Sequence, residues 1–350
     1  MWGSIRLAIV TVLSYVLCLA PGVAQTFPGT HWQQLQAPEA AGWSVDKLAE
    51  AKAYAEKISS TSVLIVQHGI IVVAWGDVTH PSNLHSARKS LLNSLIGIAV
   101  AEHKIDLDAT MAKLGIDDMP PVLTEAEKQA KVRDLLEARS GVYHLAAYET
   151  EGMKEKRPER GSHPAGSFWY YNNWDFNVLG AIYEKAEGTA IFDAFDAKIA
   201  QPIGMEDFSP RQGRYVTSKD SKYPAYLFDV SARDLARFAL LFSRGGRWNG
   251  AQVIPQDWVS ASTRPYSDTS SGGYGYLWWT ADSASGTRAA IPFPPGSFWA
   301  EGHLGQYAVV VPSRDLIVVN RVDSRLTKRS ISKRDIAHLV HLVFDAAPVN

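Results

Sequence analysis

Ser86-Ala87-Arg88-Lys89, running on into Ser90-Leu91-Leu92-Asn93-Ser94-Leu95-Ile96-Gly97-Ile98-Ala99-Val100, is the stretch on which the reading of this chain turns. Leu91, Leu92, Leu95, Ile96, Ala99 and Val100 fall at helical spacing and cover so much of the helix surface that it reads as buried. A hydroxyl and an amine three residues apart share one face at the start of that helix. If burial or a nearby charge lowers its pKa, the amine can take the hydroxyl proton and turn Ser86 into a nucleophile.

Two other Ser-x-x-Lys tetrapeptides compete, Ser44 to Lys47 and Ser330 to Lys333. Each precedes an amphipathic run, Leu48, Ala51, Ala55 and Ile58 in one case and Ile336, Val340 and Phe344 in the other. Both therefore read as helix N-caps, whose side-chain oxygen satisfies an orphan amide.

Downstream lie Phe168-Trp169-Tyr170-Tyr171-Asn172-Asn173-Trp174, which holds Tyr-x-Asn in two registers, and Gly302-His303-Leu304-Gly305-Gln306-Tyr307, an H-x-G between strand-like runs. Alone, each has an ordinary structural explanation in a turn or at a strand end. The order Ser-x-x-Lys, Tyr-x-Asn, His-x-Gly resembles that of the serine β-lactamase and penicillin-binding-protein superfamily, most closely its class C-like branch. Ser140-Gly141-Val142, Pro202-Ile203-Gly204-Met205, Ser231 to Phe238 and Tyr274 to Trp279 extend the likeness over roughly residues 40 to 345. That branch includes D-alanyl-D-alanine carboxypeptidases, D-aminopeptidases, esterases and 6-aminohexanoate-dimer hydrolases.

The resemblance implies an α/β (α+β) fold of the serine β-lactamase/DD-peptidase type, an antiparallel sheet flanked by helices with an inserted, mostly helical lobe. The α/β lobe would comprise about 40–84 and 225–350, the helical lobe about 85–224. It also implies Ser86 as nucleophile, Lys89 and Tyr171 moving its proton, and an oxyanion hole from the backbone N–H groups of Ser86 and Gln306. The Phe176-Asn177-Val178-Leu179-Gly180 ending sets the register on Tyr171 and Asn173, leaving Tyr170 to packing. Asn173 would hold Lys89 or a substrate amide. His303, followed by Leu304 and Gly305, would bond Tyr171 or a substrate carboxylate. The Lys-Thr-Gly usual in β-lactamases is absent at this point, which favours esters, amides or peptides over β-lactams as substrates.

Composition fits an exported enzyme. Arg6 precedes the uncharged stretch Leu7 to Ala20, too short to span a bilayer, and Gly22-Val23-Ala24 offers small residues for cleavage, so residues 1–24 read as a signal peptide and 25–350 as one domain, periplasmic or secreted. Cleavage removes one Arg and no acid, taking the formal charge from −1 to −2, with no call for nucleic acid. It also removes Cys18, the one cysteine, and with it thiol chemistry. Neither a transmembrane segment after cleavage nor a sensor domain after Asn350 is expected.

Along the chain, the pattern predicts a helix over Val45 to Ile58 and a hairpin of Val63 to Gln67 and Ile70 to Trp75 around His68-Gly69. A capping box of Thr124 and Glu127 precedes the Val132, Leu135 and Leu136 stripe, and helices follow over Asn177 to Ala186 and Ile191 to Ala200. Strands are predicted at Tyr274 to Thr280, Phe298 to Gly302, Tyr307 to Pro312 and Leu316 to Val322, then a helix over Ser332 to Phe344.

Other chemistry finds little support. There is no G-x-S-x-G elbow and no phosphate loop, so no cofactor is expected. His338 and His341 lack an acidic partner motif and read as surface residues rather than metal ligands, and no metal is expected. Tyr276, Trp278, Trp279, Phe298 and Trp299 read as sheet packing. The sequence thus predicts a serine hydrolase acting on a small-molecule ester, amide or peptide. The alternatives are a non-catalytic peptidoglycan- or β-lactam-binding protein of the same fold, or a true β-lactamase.

Overall fold

A computed structural model of the chain describes residues 25–287, 292–327 and 329–348. The expected signal peptide lies outside them. Helix α1, Val45–Lys57, starts where Ser44 Oγ accepts from the Lys47 amide at 3.4 Å, and buries Leu48, Ala51 and Ala55. It packs beside the last helix of the chain, Lys333–Ala346. That last helix is capped by Ser332, not Ser330. Asp335, three residues on, bonds reciprocally with Ser332 at 3.1 and 3.2 Å, which Lys333 cannot do for Ser330.

Strands β1, Ser62–Gln67, and β2, Ile70–Gly76, form the hairpin, with His68 and Gly69 at φ 52° and 77° as a primed two-residue turn requires. Six further strands complete one antiparallel sheet: β3 (Ser267–Thr269), β4 (Gly272–Tyr274), β5 (Trp279–Thr280), β6 (Phe298–Gly302), β7 (Gln306–Val311) and β8 (Leu316–Arg321), in the order β2-β1-β8-β7-β6-β5-β4-β3. Alternate residues divide between two cores. Leu64, Val66, Val310 and Val319 face the side of helices α2 (Arg88–Ala101) and α4 (Ala232–Ser243). Val63, Ile65, Val309 and Val318 face α1 and the C-terminal helix. With both faces covered, every residue of β1, β7 and β8 is buried, which is why these strands read as continuous apolar runs.

The predicted strand over Tyr274 to Thr280 is two strands. The Gly275 amide donates to Trp278 O at 2.8 Å, and Leu277 has φ 60°. Ser90 Oγ donates to Leu277 O and Asn93 Nδ2 to Tyr276 O, both at 2.9 Å, so polar side chains of α2 satisfy carbonyls that a ladder would otherwise have used.

Between the two parts of the sheet the chain is mainly helical. Thr124 and Glu127 exchange the expected bonds, at 2.8 and 3.2 Å, but around a single 3₁₀ turn, Glu127–Gln129; the helix Val132–Leu136 starts afresh after Lys131. Helix α3, Asn173–Glu187, begins four residues ahead of the predicted Asn177, because Asn172 Oδ1 accepts from the Trp174 amide at 3.1 Å. The run predicted as one helix over Ile191 to Ala200 is an α-helix to Phe195, then a wider π turn over Asp196–Ala200.

Candidate active site

Ser86 sits in a tight turn, His85–Ala87, that runs directly into α2. Asn83 Oδ1 accepts from the His85 amide at 2.9 Å, and His85 takes a left-handed φ of 48°. The end of β6 passes close beside this turn. A Cβ on Gly302 would lie 2.2 Å from Leu84 O and 3.1 Å from the Ala87 nitrogen, so only glycine lets the strand come this near the serine.

Lys89 is buried at the first turn of α2, with Nζ 2.9 Å from Ser86 Oγ and 2.7 Å from Tyr171 Oη. The amine also lies over the rings of Tyr171 and Phe176 at 4.5 and 4.6 Å. Burial, helped by the neighbouring Arg88 guanidinium, holds it well below the usual lysine range. Burial drives the Tyr171 phenol the other way, upward, with its bond to Ser86 and the Arg88 charge only partly opposing. Burial thus favours the neutral form of both groups, amine and phenol.

Tyr170 lies apart from this cluster: its hydroxyl donates to Met153 O at 2.8 Å and its ring packs edge-on to Tyr143. Asn173 does not reach Lys89 as expected. Its Nδ2 donates to Tyr148 O at 2.6 Å, and its Oδ1 is buried without a partner, because the early start of α3 puts Asn173 in the first helical turn. His303 lines the cleft but stands edge-on to His85, centroids 5.6 Å apart, and among the described residues no hydrogen bond joins it to Tyr171. Burial, then the nearby His303, lowers His85 to about 4, so that ring is neutral.

Gly305 also lines the cleft, in the β6–β7 turn at φ 115°, where a Cβ would lie 2.9 Å from Ile331 Cβ. Gln306 opens β7, fully buried, and its side chain is committed elsewhere: Nε2 donates to Val322 O at 2.7 Å and Oε1 accepts from Arg321 Nε at 2.8 Å. That leaves backbone as all Gln306 can offer a ligand.

Ser86, Tyr171, His303 and Gly305 border a cleft of about 540 Å³ whose walls also hold groups that the sequence did not place in the site, Trp169, Trp279, Glu301 and Lys333 among them. Tyr171 stacks on Trp279 at 5.6 Å. Trp279 was in view in the sequence but read as packing; its neighbour Trp278, by contrast, is wholly buried in the core. Ser330 and Lys333, from the third Ser-x-x-Lys tetrapeptide, also line the cleft. Among the described residues no group of three His, Cys, Asp or Glu side chains is placed to hold a metal ion. None of the described helices is long and apolar enough to cross a membrane.

An eight-stranded antiparallel sheet with helices on both faces, and a Ser-x-x-Lys serine at the mouth of a central buried helix, is the fold of the serine β-lactamase and DD-peptidase class. The beta-lactamase family model matches residues 45–336, and the chain belongs to that family. An uncharacterized protein of Alkalihalophilus pseudofirmus is 22% identical over 296 residues, covering 76% of this chain and 84% of that one. Among solved structures, a Bacillus anthracis protein named as a 6-aminohexanoate-dimer hydrolase superposes with a TM-score of 0.65 at 18% identity, covering 91% of this chain and 86% of its own. An octameric penicillin-binding protein homologue from Pyrococcus abyssi gives 0.63 at 16%, over 87% and 78%.

Proposed function

We propose that this protein is an exported serine hydrolase that cleaves esters, amides or peptides through an acyl-enzyme. The observation that carries the reading is the buried Lys89 amine, within hydrogen-bond distance of both Ser86 Oγ and Tyr171 Oη. A neutral amine has a lone pair for the serine proton, and a phenol held above its ordinary range is a poor base, so Lys89 is the base and Tyr171 the relay. Ser86 Oγ attacks the carbonyl while Lys89 takes its proton, and Tyr171 passes a proton to the leaving group. The Lys89 ammonium then reprotonates Tyr171; water attacks the acyl-enzyme and gives its proton to Lys89 while Tyr171 protonates the departing Ser86 Oγ, releasing the acid, and the return of the proton from Lys89 to Tyr171 restores the resting site. The backbone N–H groups of Ser86 and Gln306 would hold the oxyanion, the first at the start of α2, where the helix dipole also favours negative charge.

The test is a panel of short p-nitrophenyl esters, D-amino-acid peptides, 6-aminohexanoate oligomers and a chromogenic cephalosporin. Esters are expected to be cleaved readily and the cephalosporin slowly. Fast cephalosporin turnover with inert esters would overturn the reading. Export is checked by N-terminal sequencing of the secreted or periplasmic protein, which is expected to begin at Gln25.

A further inference from the structure

Lys333 comes from the far end of the chain, yet its side chain stands in the cleft wall with Ser86, Trp279 and His303. Its ammonium is held on three sides, 3.1 Å from Glu301 Oε2, 3.2 Å from Ser271 Oγ and 3.6 Å from the centre of the Trp279 ring. Glu301 is itself tied down by Trp299 Nε1, at 3.2 Å from the same oxygen. Of the two partners the lysine is the more open, its side chain 33% exposed against 17% for the glutamate, so the pair turns its cation toward the cleft. Lys156 adds a second positive charge to the lining, where among the described residues Glu301 is the one carboxylate. An ion pair still partly open to solvent adds little stability, so folding alone does not account for a lysine held here. A lysine fixed in advance loses little further side-chain freedom when it meets an anion.

We propose that Lys333 is a specificity-determining residue that receives a carboxylate borne by the substrate, with the aromatic wall of Trp279 and Trp169 taking the carbon chain that joins it to the scissile carbonyl. The inference rests on the hydrolase reading above. One partly neutralised ammonium beside the hydroxyl of Ser271, with Ser330 in the same cleft lining, suits a singly charged carboxylate; a phosphate dianion calls for the forked donors of arginine.

The experiment compares mono-p-nitrophenyl glutarate with p-nitrophenyl butanoate. The wild-type protein should prefer the anionic ester in kcat/KM, and in Lys333→Met that preference should fall at least about tenfold, the scale of one charge-assisted hydrogen bond. Lys333→Arg should retain most of it. An unchanged ratio in Lys333→Met would overturn the assignment. A measurement on wild-type protein guards against a variant that does not fold: glutarate should protect Ser86 from a fluorophosphonate better than glutaramide does, and equal protection would overturn the assignment. Normal ester cleavage without any preference refutes the carboxylate site alone, whereas failure of both cleavage and labelling refutes the hydrolase reading and this inference with it.

Discussion

Lys89 Nζ stands 2.7 Å from the phenolic oxygen of Tyr171, a residue 82 positions further along the chain. The contact joins the first turn of α2 to the segment that leads into α3, and it completes a chain from Ser86 through the amine to the phenol. If the three act as one proton-transfer unit, Lys89→Met and Tyr171→Phe should each cut kcat/KM severely, and the double variant should be little worse than either, because members of one unit are not additive. Tyr170→Phe should keep most activity, its hydroxyl being bonded to a backbone carbonyl. A dead Tyr170→Phe beside an active Tyr171→Phe would shift the register by one residue.

Labelling by a fluorophosphonate separates the three Ser-x-x-Lys serines. Ser86→Ala should abolish it, while Ser44→Ala and Ser330→Ala should leave it intact. Ser44 caps α1, so its loss should cost about 1 kcal/mol of stability, readable as a lower melting temperature. Labelling of a folded Ser86→Ala protein would remove Ser86 as nucleophile.

What the sequence disclosed of this site was local. Ser86 and Lys89 stand one helical turn apart, and the buried character of α2 is written in adjacent apolar residues, so both were legible. The register that set Tyr171 rather than Tyr170 came from residues just downstream. Lys333 and Trp279 were not legible as cleft residues, because the wall they share is assembled from the β3–β4 turn, β5, β6 and the start of the C-terminal helix. Lys333 was in view only as part of a supposed cap, and the capping box of Ser332 with Asp335, which gives that cap to another serine, went unread. The break in Tyr274 to Thr280 was hidden for a similar reason: Ser90 and Asn93 of α2, far away in sequence, take up the turn's carbonyls.

Arg88 is fully buried, with Nη1 donating to His85 O at 3.1 Å and its guanidinium 5.4 and 5.2 Å from the ring centres of Tyr148 and Tyr226. Its Nε and Nη2 have no partner. A permanent charge in this position makes a second positive charge on Lys89 unfavourable, adding to the effect of burial. Activity needs Lys89 unprotonated, so it should fall as pH drops through the folded-state pKa of Lys89. Arg88→Met removes the repulsion, Lys89 then keeps its proton to higher pH, and the acid limb of kcat/KM should move upward. Lower activity with an unmoved limb would show that Arg88 serves only to hold the turn.

Lys89→Met should produce a protein that is inactive yet more stable near neutral pH. In the unfolded chain Lys89 is protonated up to its usual pKa of about 10.5. In the folded chain burial and Arg88 hold it well below that. Between the two values the unfolded state binds the extra proton, so wild-type stability rises with pH across that window, and there folding must release the proton at a cost of about 1.4 kcal/mol for each pH unit below the unfolded pKa. Methionine fills similar space without that cost. The substitution also removes the contacts to Ser86 and Tyr171, worth about 1 kcal/mol each. Where the proton cost exceeds that loss, the variant should melt higher than wild type. The gap should narrow as pH rises and reverse at about pH 9, where the falling proton cost drops below the roughly 2 kcal/mol of lost hydrogen bonds, so that by about pH 10.5 only that loss remains. Melting curves from pH 6 to 10.5 decide it: a variant less stable than wild type at every pH would mean that Lys89 folds as a charged group, and the serine would then need another base.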